Sequence, residues 1–263
     1  MSDAVFLRDG DRLIPQLEAR AGWYADALHG GPVAGAFARA FELVEAPTEM
    51  EVTRLTVDLM RPVPTVPLSI ETRVVRAGKR IQVLEGRMEG NGSDVAVASA
   101  LRLRVAEVPV PSHSRPELPP APSELPVVTM EPVHEPWFHT RGVELRSAKQ
   151  SFYVAGPGTA WVRLAMRLVE GEEPTPLQRA AVAADFGNGV GNVLSEDFVF
   201  MNADLSIYLH RPPEGEWVGL RSRSDIDHLG YGLAQSVLFD TQGSIGHGLQ
   251  AIFVDRAESF SSQ

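Results

Sequence analysis

Asp185 is the most unusual residue of the sequence, because no other charged side chain stands between Arg179 and Glu196, in a stretch otherwise built of small and apolar groups. A carboxylate in such surroundings needs partners or a purpose. Burial would make it a stronger base, hydrogen bonds would hold it ionised, and the sequence leaves both open. Asp-Phe-Gly-Asn-Gly is also cap-and-turn chemistry, so the residue equally suits a helix that starts or kinks there. Asp204 is the second candidate carboxylate. In NADLSIYLHRP, strand alternation predicts Asn202, Asp204 and Ser206 on one face and Ala203, Leu205 and Ile207 on the other, where a solvated face also accounts for Asp204. A third centre is HGGPVAGAFARA, in which His29, Gly30 and Gly31 precede an alanine-rich stretch. Its glycine turn suits a phosphate cradle, an exposed catalytic histidine, or a buried helix starting in a tight space.

Other chemistries are absent from the sequence. There is no Gly-x-Ser-x-Gly elbow, no phosphate-binding Gly-x4-Gly-Lys-Ser/Thr loop and no His-Glu-x-x-His. GNGVG, residues 187–191, lacks the dinucleotide spacing and suits close packing of a helix instead. The seven histidines are far apart and make no pair at helical spacing, so neither a metal nor a cofactor is expected.

The elements that must position these residues fall into two similar halves. Nine prolines in residues 107–136 predict an extended linker between an N-terminal unit, 1–106, and a C-terminal unit, 137–263. In the first, Val33, Phe37, Phe41 and Val44 mark one side of a helix, followed by strands over 51–61, 68–77, 80–90 and 94–105, with Asn91-Gly92 as a hairpin turn. In the second, a strand over 160–169 precedes a helix over 177–194, then strands over 198–212, 216–226, 231–240 and 244–254. An offset of about 150 sets VDLMRPVP on IYLHRPPE, and one of about 156 sets HGGPVAGA on DFGNGVGN, which puts His29 opposite Asp185. Such ordered matches indicate an internal duplication. One helix and four or five antiparallel strands, used twice, predict an α+β fold in which each sheet wraps a helix that is apolar on most sides.

Composition bounds the function. A 44% hydrophobic fraction is ample for a packed core, and no run of about 18 apolar residues suggests a membrane span. The absence of cysteine fits a reducing compartment, so a cytoplasmic protein is expected. A net charge of −10 opposes binding to nucleic acid. Arg76, Lys79 and Arg80 form the densest basic cluster, which suits either an anionic ligand or a solvated turn.

HGGPVAGAFARA, LTVDLMRPVP, AADFGNG, NADLSIYLHRPP and LQAIFV, in this order and spacing, resemble the double-hotdog acyl-CoA thioesterases of the thioesterase II-like group. The resemblance covers nearly the whole chain outside the linker. It implies a double hotdog: two tandem units, each with an antiparallel sheet wrapped around a central helix. It also implies hydrolysis of acyl-CoA or related thioesters, with no cofactor, by water activated at Asp185 and Gln250. Asn202 stands where the family has Thr, and its amide can still hydrogen-bond Asp185 or, with Gln250, position the water. N–H groups around His29, Gly30 and Gly31, or Gly187, would then bind the substrate and polarise its carbonyl. Resemblance to hotdog dehydratases offers an alternative, in which His29 and Asp185 hydrate an enoyl thioester, although the Asp-x-Asn-x-x-His signature is missing. A non-catalytic acyl-thioester binder is a further alternative. No membrane partner is expected, and homo-oligomers are, because hotdog units assemble through edges and sheet faces.

Overall fold

The two alanine-rich segments pack as helices against one large sheet, in a computed structural model that describes residues 3–22, 26–109, 119–129, 136–149 and 154–260. The first half contains β1 (Ala4–Asp9), β2 (Arg12–Pro15), α1 (Gly30–Glu42), β3 (Met50–Leu59), β4 (Ser69–Arg76), β5 (Ile81–Gly90) and β6 (Ser93–Arg104). The second contains β7 (Val143–Arg146), β8 (Gly158–Leu164), β9 (Arg167–Val169), α2 (Pro176–Ala184) and α3 (Gly187–Val190). It continues with β10 (Phe198–Asn202), β11 (Asp204–Leu209), β12 (Val218–Ile226), β13 (Tyr231–Asp240), β14 (Gly243–Arg256) and α4 (Ala257–Phe260). The strand order of the main sheet is β4-β5-β6-β3-β11-β14-β13-β12-β8-β7, with β10 also paired to β14. Helix α1 lies against β3, β4 and β5, while α2 and α3 lie against β8 and β11 to β14. This is the α+β double-hotdog architecture that the resemblance implies.

The duplication is visible in the register. β3 and β11 join the two half-sheets with Thr56 opposite Ser206, 150 positions apart, and Ser206 Oγ lies 3.1 Å from Thr56 Oγ1. Every step along one strand away from this pair meets its counterpart on the other, so the junction is a local two-fold. Two irregularities recur at the same offset. The β5–β6 register shifts between Met88 and Glu89, and the β13–β14 register between Leu238 and Phe239. The β3–β6 register shifts between Val52 and Arg54; correspondingly, Asn202 pairs with Ile252 but Ser206 with Leu249, so four steps on one strand face three on the other. Both are bulges that add one residue to a strand.

That second bulge corrects the single strand predicted over 198–212. The extra residue at Ala203 separates β10 from β11 and reverses the alternation, because side chains change face at every residue. Asn202 therefore turns toward the helix layer along with core residues Leu205 and Ile207, instead of sharing a face with Asp204 and Ser206. The continuous helix over 177–194 is also corrected. α2 starts at Pro176 after Thr175, whose Oγ1 accepts from the Gln178 N–H at 3.2 Å, but ends at Ala184, and Asp185 and Phe186 separate it from α3. Asp185 thus closes a helix and is not the counterpart of His29 at a helix start; the offset of 150 kept by the strands sets it against Gly35.

The helices are buried as the sequence predicts. Val33, Phe37 and Phe41 of α1 are fully buried, and a Cβ at Gly86 would come 3.1 Å from both phenyl rings, so that position lets the helix approach the sheet closely. Glu42 near the end of α1 joins the helices: its Oε2 accepts from Thr175 Oγ1 at 2.8 Å and from Gln178 Nε2 at 3.0 Å. Burial pushes this carboxyl up, against the lowering effect of those two bonds. The β1–β2 hairpin, whose β1 pairs in parallel with β9, was not predicted, and the single strand predicted over 160–169 is divided into β8 and β9. Of the linker, residues 110–118 and 130–135 lie outside the described residues. Its described part docks on the sheet edge, where Trp161 Nε1 donates to Pro120 O at 2.9 Å and the Val128 N–H to Leu145 O at 2.8 Å.

Candidate active site

The N-terminus of α1, the α2–α3 break and the β10 bulge converge on a cavity of about 620 Å³. His29, Gly30, Asp185 and Asn202 line it, whereas Gly31, Gly187 and Gln250 are buried behind its wall. Asp185 is only 3% exposed, and each of its carboxylate oxygens has a partner. Asn202 Nδ2 donates to Oδ1 at 2.8 Å, and His29 Nδ1 lies 2.9 Å from Oδ2.

The protein chain also fixes the Asp185 backbone. Gln250 reaches the main chain and not the carboxylate: its Nε2 donates to Asp185 O at 3.1 Å, and its Oε1 accepts from the Asn188 N–H at 2.9 Å. It thereby satisfies one carbonyl and one N–H that the helix break leaves without helical partners. Gly187 makes this approach possible, since a Cβ there would come 2.8 Å from Gln250 Oε1 and 2.6 Å from Ser236 Oγ. Gly30 plays the same part on the other wall: a Cβ would come 2.5 Å from Asp185 Oδ1, so only glycine lets the carboxylate lie against the start of α1. Asp204, the second candidate, is used in the bulge, where its Oδ1 accepts from the Ala251 N–H at 2.6 Å.

The His29–Asp185 contact constrains protons. His29 Nδ1 also faces the Gly31 N–H at 3.1 Å, and one ring nitrogen cannot accept from an N–H while donating to a carboxylate. Nδ1 can hydrogen-bond Oδ2 across this 2.9 Å only as a donor, since two facing lone pairs would repel. The ring is held by Phe186, centroids 5.0 Å apart, and Phe138, 5.3 Å apart.

Sequence reasoning missed several residues here. His139 lines the cavity 6.2 Å from the His29 ring, and burial, assisted by the positive charge His29 can carry, lowers its pKa to about 4. It is therefore neutral near pH 7. Asn188 connects the polar groups, its main chain on Gln250 and its Nδ2 3.5 Å from Asn202 Oδ1. Asn188 stood inside the DFGNG motif and was findable there; His139 follows the linker with no periodicity to mark it. In the first half, the offset of 150 puts Gly35, Val52 and Ala100 where the second half has Asp185, Asn202 and Gln250, so the polar set exists once per chain. Among the described residues, no three His, Asp or Glu side chains form a metal-ligating group.

Residues 19–103 match the family of acyl-CoA thioesterase N-terminal domains, and residues 113–254 that of acyl-CoA thioesterase C-terminal domains. No curated protein sequence matches the chain. Among solved structures it is similar to a candidate thioesterase II from Thermobifida fusca, at 17% identity, with 95% of each chain covered and a TM-score of 0.74. A hot dog fold protein of unknown function from Alicyclobacillus acidocaldarius is 19% identical over 94% of each chain, TM-score 0.74. The acyl-CoA thioesterase II TesB2 from Mycobacterium marinum is 18% identical, with 88% of this chain and 90% of that one covered, TM-score 0.65.

Proposed function

The chain belongs to the acyl-CoA thioesterase family, and from that premise we propose that it hydrolyses acyl-CoA or a related acyl thioester with Asp185 as the general base. The observation that carries this reading is a nearly fully buried carboxylate that still lines the cavity and is fixed at both oxygens. Water beside Asp185 attacks the thioester carbonyl carbon as the Asp185–His29 pair accepts its proton. The Gly30 N–H, in the first turn of a 13-residue helix and on the cavity wall, stabilises the oxyanion; the Gly31 N–H is already turned toward His29. As the intermediate collapses, the carbon–sulfur bond breaks and the pair returns its proton to the leaving thiolate, giving carboxylic acid and thiol. Asn202 orients the base directly, and Gln250 positions it through the backbone.

Asp185→Asn preserves shape and removes the base. Thiol release from acyl-CoA should fall by about 10²- to 10⁴-fold with an unchanged melting temperature. Near-normal turnover would overturn the assignment. The 2.9 Å contact between His29 and Asp185 also supports a second reading, addition of water to an enoyl thioester by the same pair. Crotonyl-CoA separates the two: loss of enoyl ultraviolet absorbance without thiol release identifies hydration, and thiol release without it identifies hydrolysis.

A further inference from the structure

The offset of 150 also relates Arg61 and Arg211, each two residues beyond its strand, β3 or β11. Main-chain bonds repeat beside them: the Met60 N–H donates to Val95 O at 3.2 Å, and the His210 N–H to Ile245 O at 3.0 Å. In the second half this arginine is part of the structure. Arg211 Nη1 and Nη2 donate to Oδ2 and Oδ1 of the fully buried Asp240 at 2.5 and 2.6 Å, and Nη2 donates to Gly243 O at 3.2 Å. Burial pushes the Asp240 carboxyl up, but Arg211 and the N–H groups of Glu214 and Gln242 outweigh it and hold the group below its ordinary value. The cation and its counter-ion close the end of the β13–β14 hairpin.

The first half has the arginine without the carboxylate. Gly90 occupies the position equivalent to Asp240, and a Cβ there would come 2.9 Å from Leu68 Cδ2 and 3.2 Å from Pro64 Cγ, so an apolar contact fills the place of the ion pair. Arg61 is exposed and makes no hydrogen bond or ion pair among the described residues. It lines the same cavity as Asp185, where it is the one permanently charged cation among the described lining residues. A guanidinium stays charged at any working pH and presents paired N–H donors that match an oxyanion. The exposed cluster Arg76, Lys79 and Arg80, in contrast, lines none of this cavity.

We propose that Arg61, without the counter-ion that its duplicate has, binds an oxyanion of the substrate at the cavity mouth: a phosphate of the CoA arm or a carboxylate on the acyl chain. This rests on reading the cavity as the acyl-thioester site. Non-hydrolysable thioethers test it without turnover: calorimetric titration of the wild-type chain and Arg61→Gln with S-butyl-CoA, S-(4-carboxybutyl)-CoA and S-butyl-pantetheine. If phosphate is the ligand, Arg61→Gln raises Kd for both CoA thioethers by about tenfold or more and leaves S-butyl-pantetheine unchanged. If carboxylate is the ligand, only S-(4-carboxybutyl)-CoA weakens to that degree. Arg61→Lys should recover part of the loss, since it restores charge without the paired donors. Equal affinity of wild type and Arg61→Gln for every thioether overturns the proposal, as does equal weakening of all three or failure of the wild type to bind any of them. Failure of the catalytic reading looks different: the thioethers bind in an Arg61-dependent way while no acyl-CoA is hydrolysed.

Discussion

Gly30 and His29 show how narrowly the Asp185 carboxylate is confined. A methyl group at position 30 would occupy space 2.5 Å from Asp185 Oδ1, and the adjacent His29 holds the other oxygen. Gly30 already adopts helical backbone, so alanine there carries no φ strain, and its cost in stability is that of displacing a buried, hydrogen-bonded carboxylate, about 1–3 kcal/mol for each bond lost. It should also lower kcat for acyl-CoA by about 10²-fold or more, because displacement of a base by about 1 Å is enough for that. Steady-state kinetics with a parallel thermal melt check both halves of the expectation. The chemical identity of Asp185 was readable at this scale, since a lone carboxylate in an apolar run is conspicuous in any sequence. Its partners were less so. Asn202 was expected on the face of Asp204, and only the added residue at Ala203 turns it onto the carboxylate. Gln250 was expected at the water and instead holds the Asp185 carbonyl.

Among the elements, the break between α2 and α3 is the one that creates the site. Two helical segments separated by Asp185 and Phe186 leave main-chain groups unpaired, and Gln250 from β14 satisfies two of them. Gln250→Ala should therefore cost about 1–3 kcal/mol for each buried group left without a partner, read as a shift in urea midpoint. The same variant should lower kcat more than it raises KM, because the base moves while the cavity walls remain. Periodicity revealed both helices and the strands β3 to β6 and β12 to β14, where apolar spacing is regular. It missed the helix break, the β10–β11 bulge and the β1–β2 hairpin, because a bond from a distant strand or one inserted residue leaves no mark on local spacing.

At the scale of the whole chain, duplication produced one junction and two unequal halves. The β3–β11 seam is centred on Thr56 and Ser206, yet Asp185, Asn202 and Gln250 and the Arg211–Asp240 pair belong to the second half alone, with His29 the first half's polar contribution to the cavity. The halves are tied again by Arg39, whose Nε and Nη2 donate to Glu172 at 2.6 Å each, and this pair holds the Glu172 carboxyl below its ordinary range. Acid sensitivity is also a property of the whole fold. His139 has its pKa lowered to about 4 from 6.5, so between these values the unfolded chain binds a proton that the native chain does not. Stability should accordingly fall as pH decreases through that window and gain nothing from this residue above it. Denaturant midpoints at pH 7 and pH 4.5 measure the effect, and His139→Gln should lessen the difference between them.

Composition, apolar spacing and repeated motifs determined, from the sequence alone, a duplicated helix-and-meander chain with a buried Asp185, because these are consequences of local period and residue type. The motifs already paired His29 and Asn202 with Asp185, but tertiary structure alone decided how Asn202 turns onto that carboxylate, that Gln250 holds its main chain, and which arginine is left with a free charge. Those outcomes depend on pairing across 17 positions between Asn202 and Asp185, 65 between Gln250 and Asp185, and 29 between Arg211 and Asp240, distances over which local pattern carries no information.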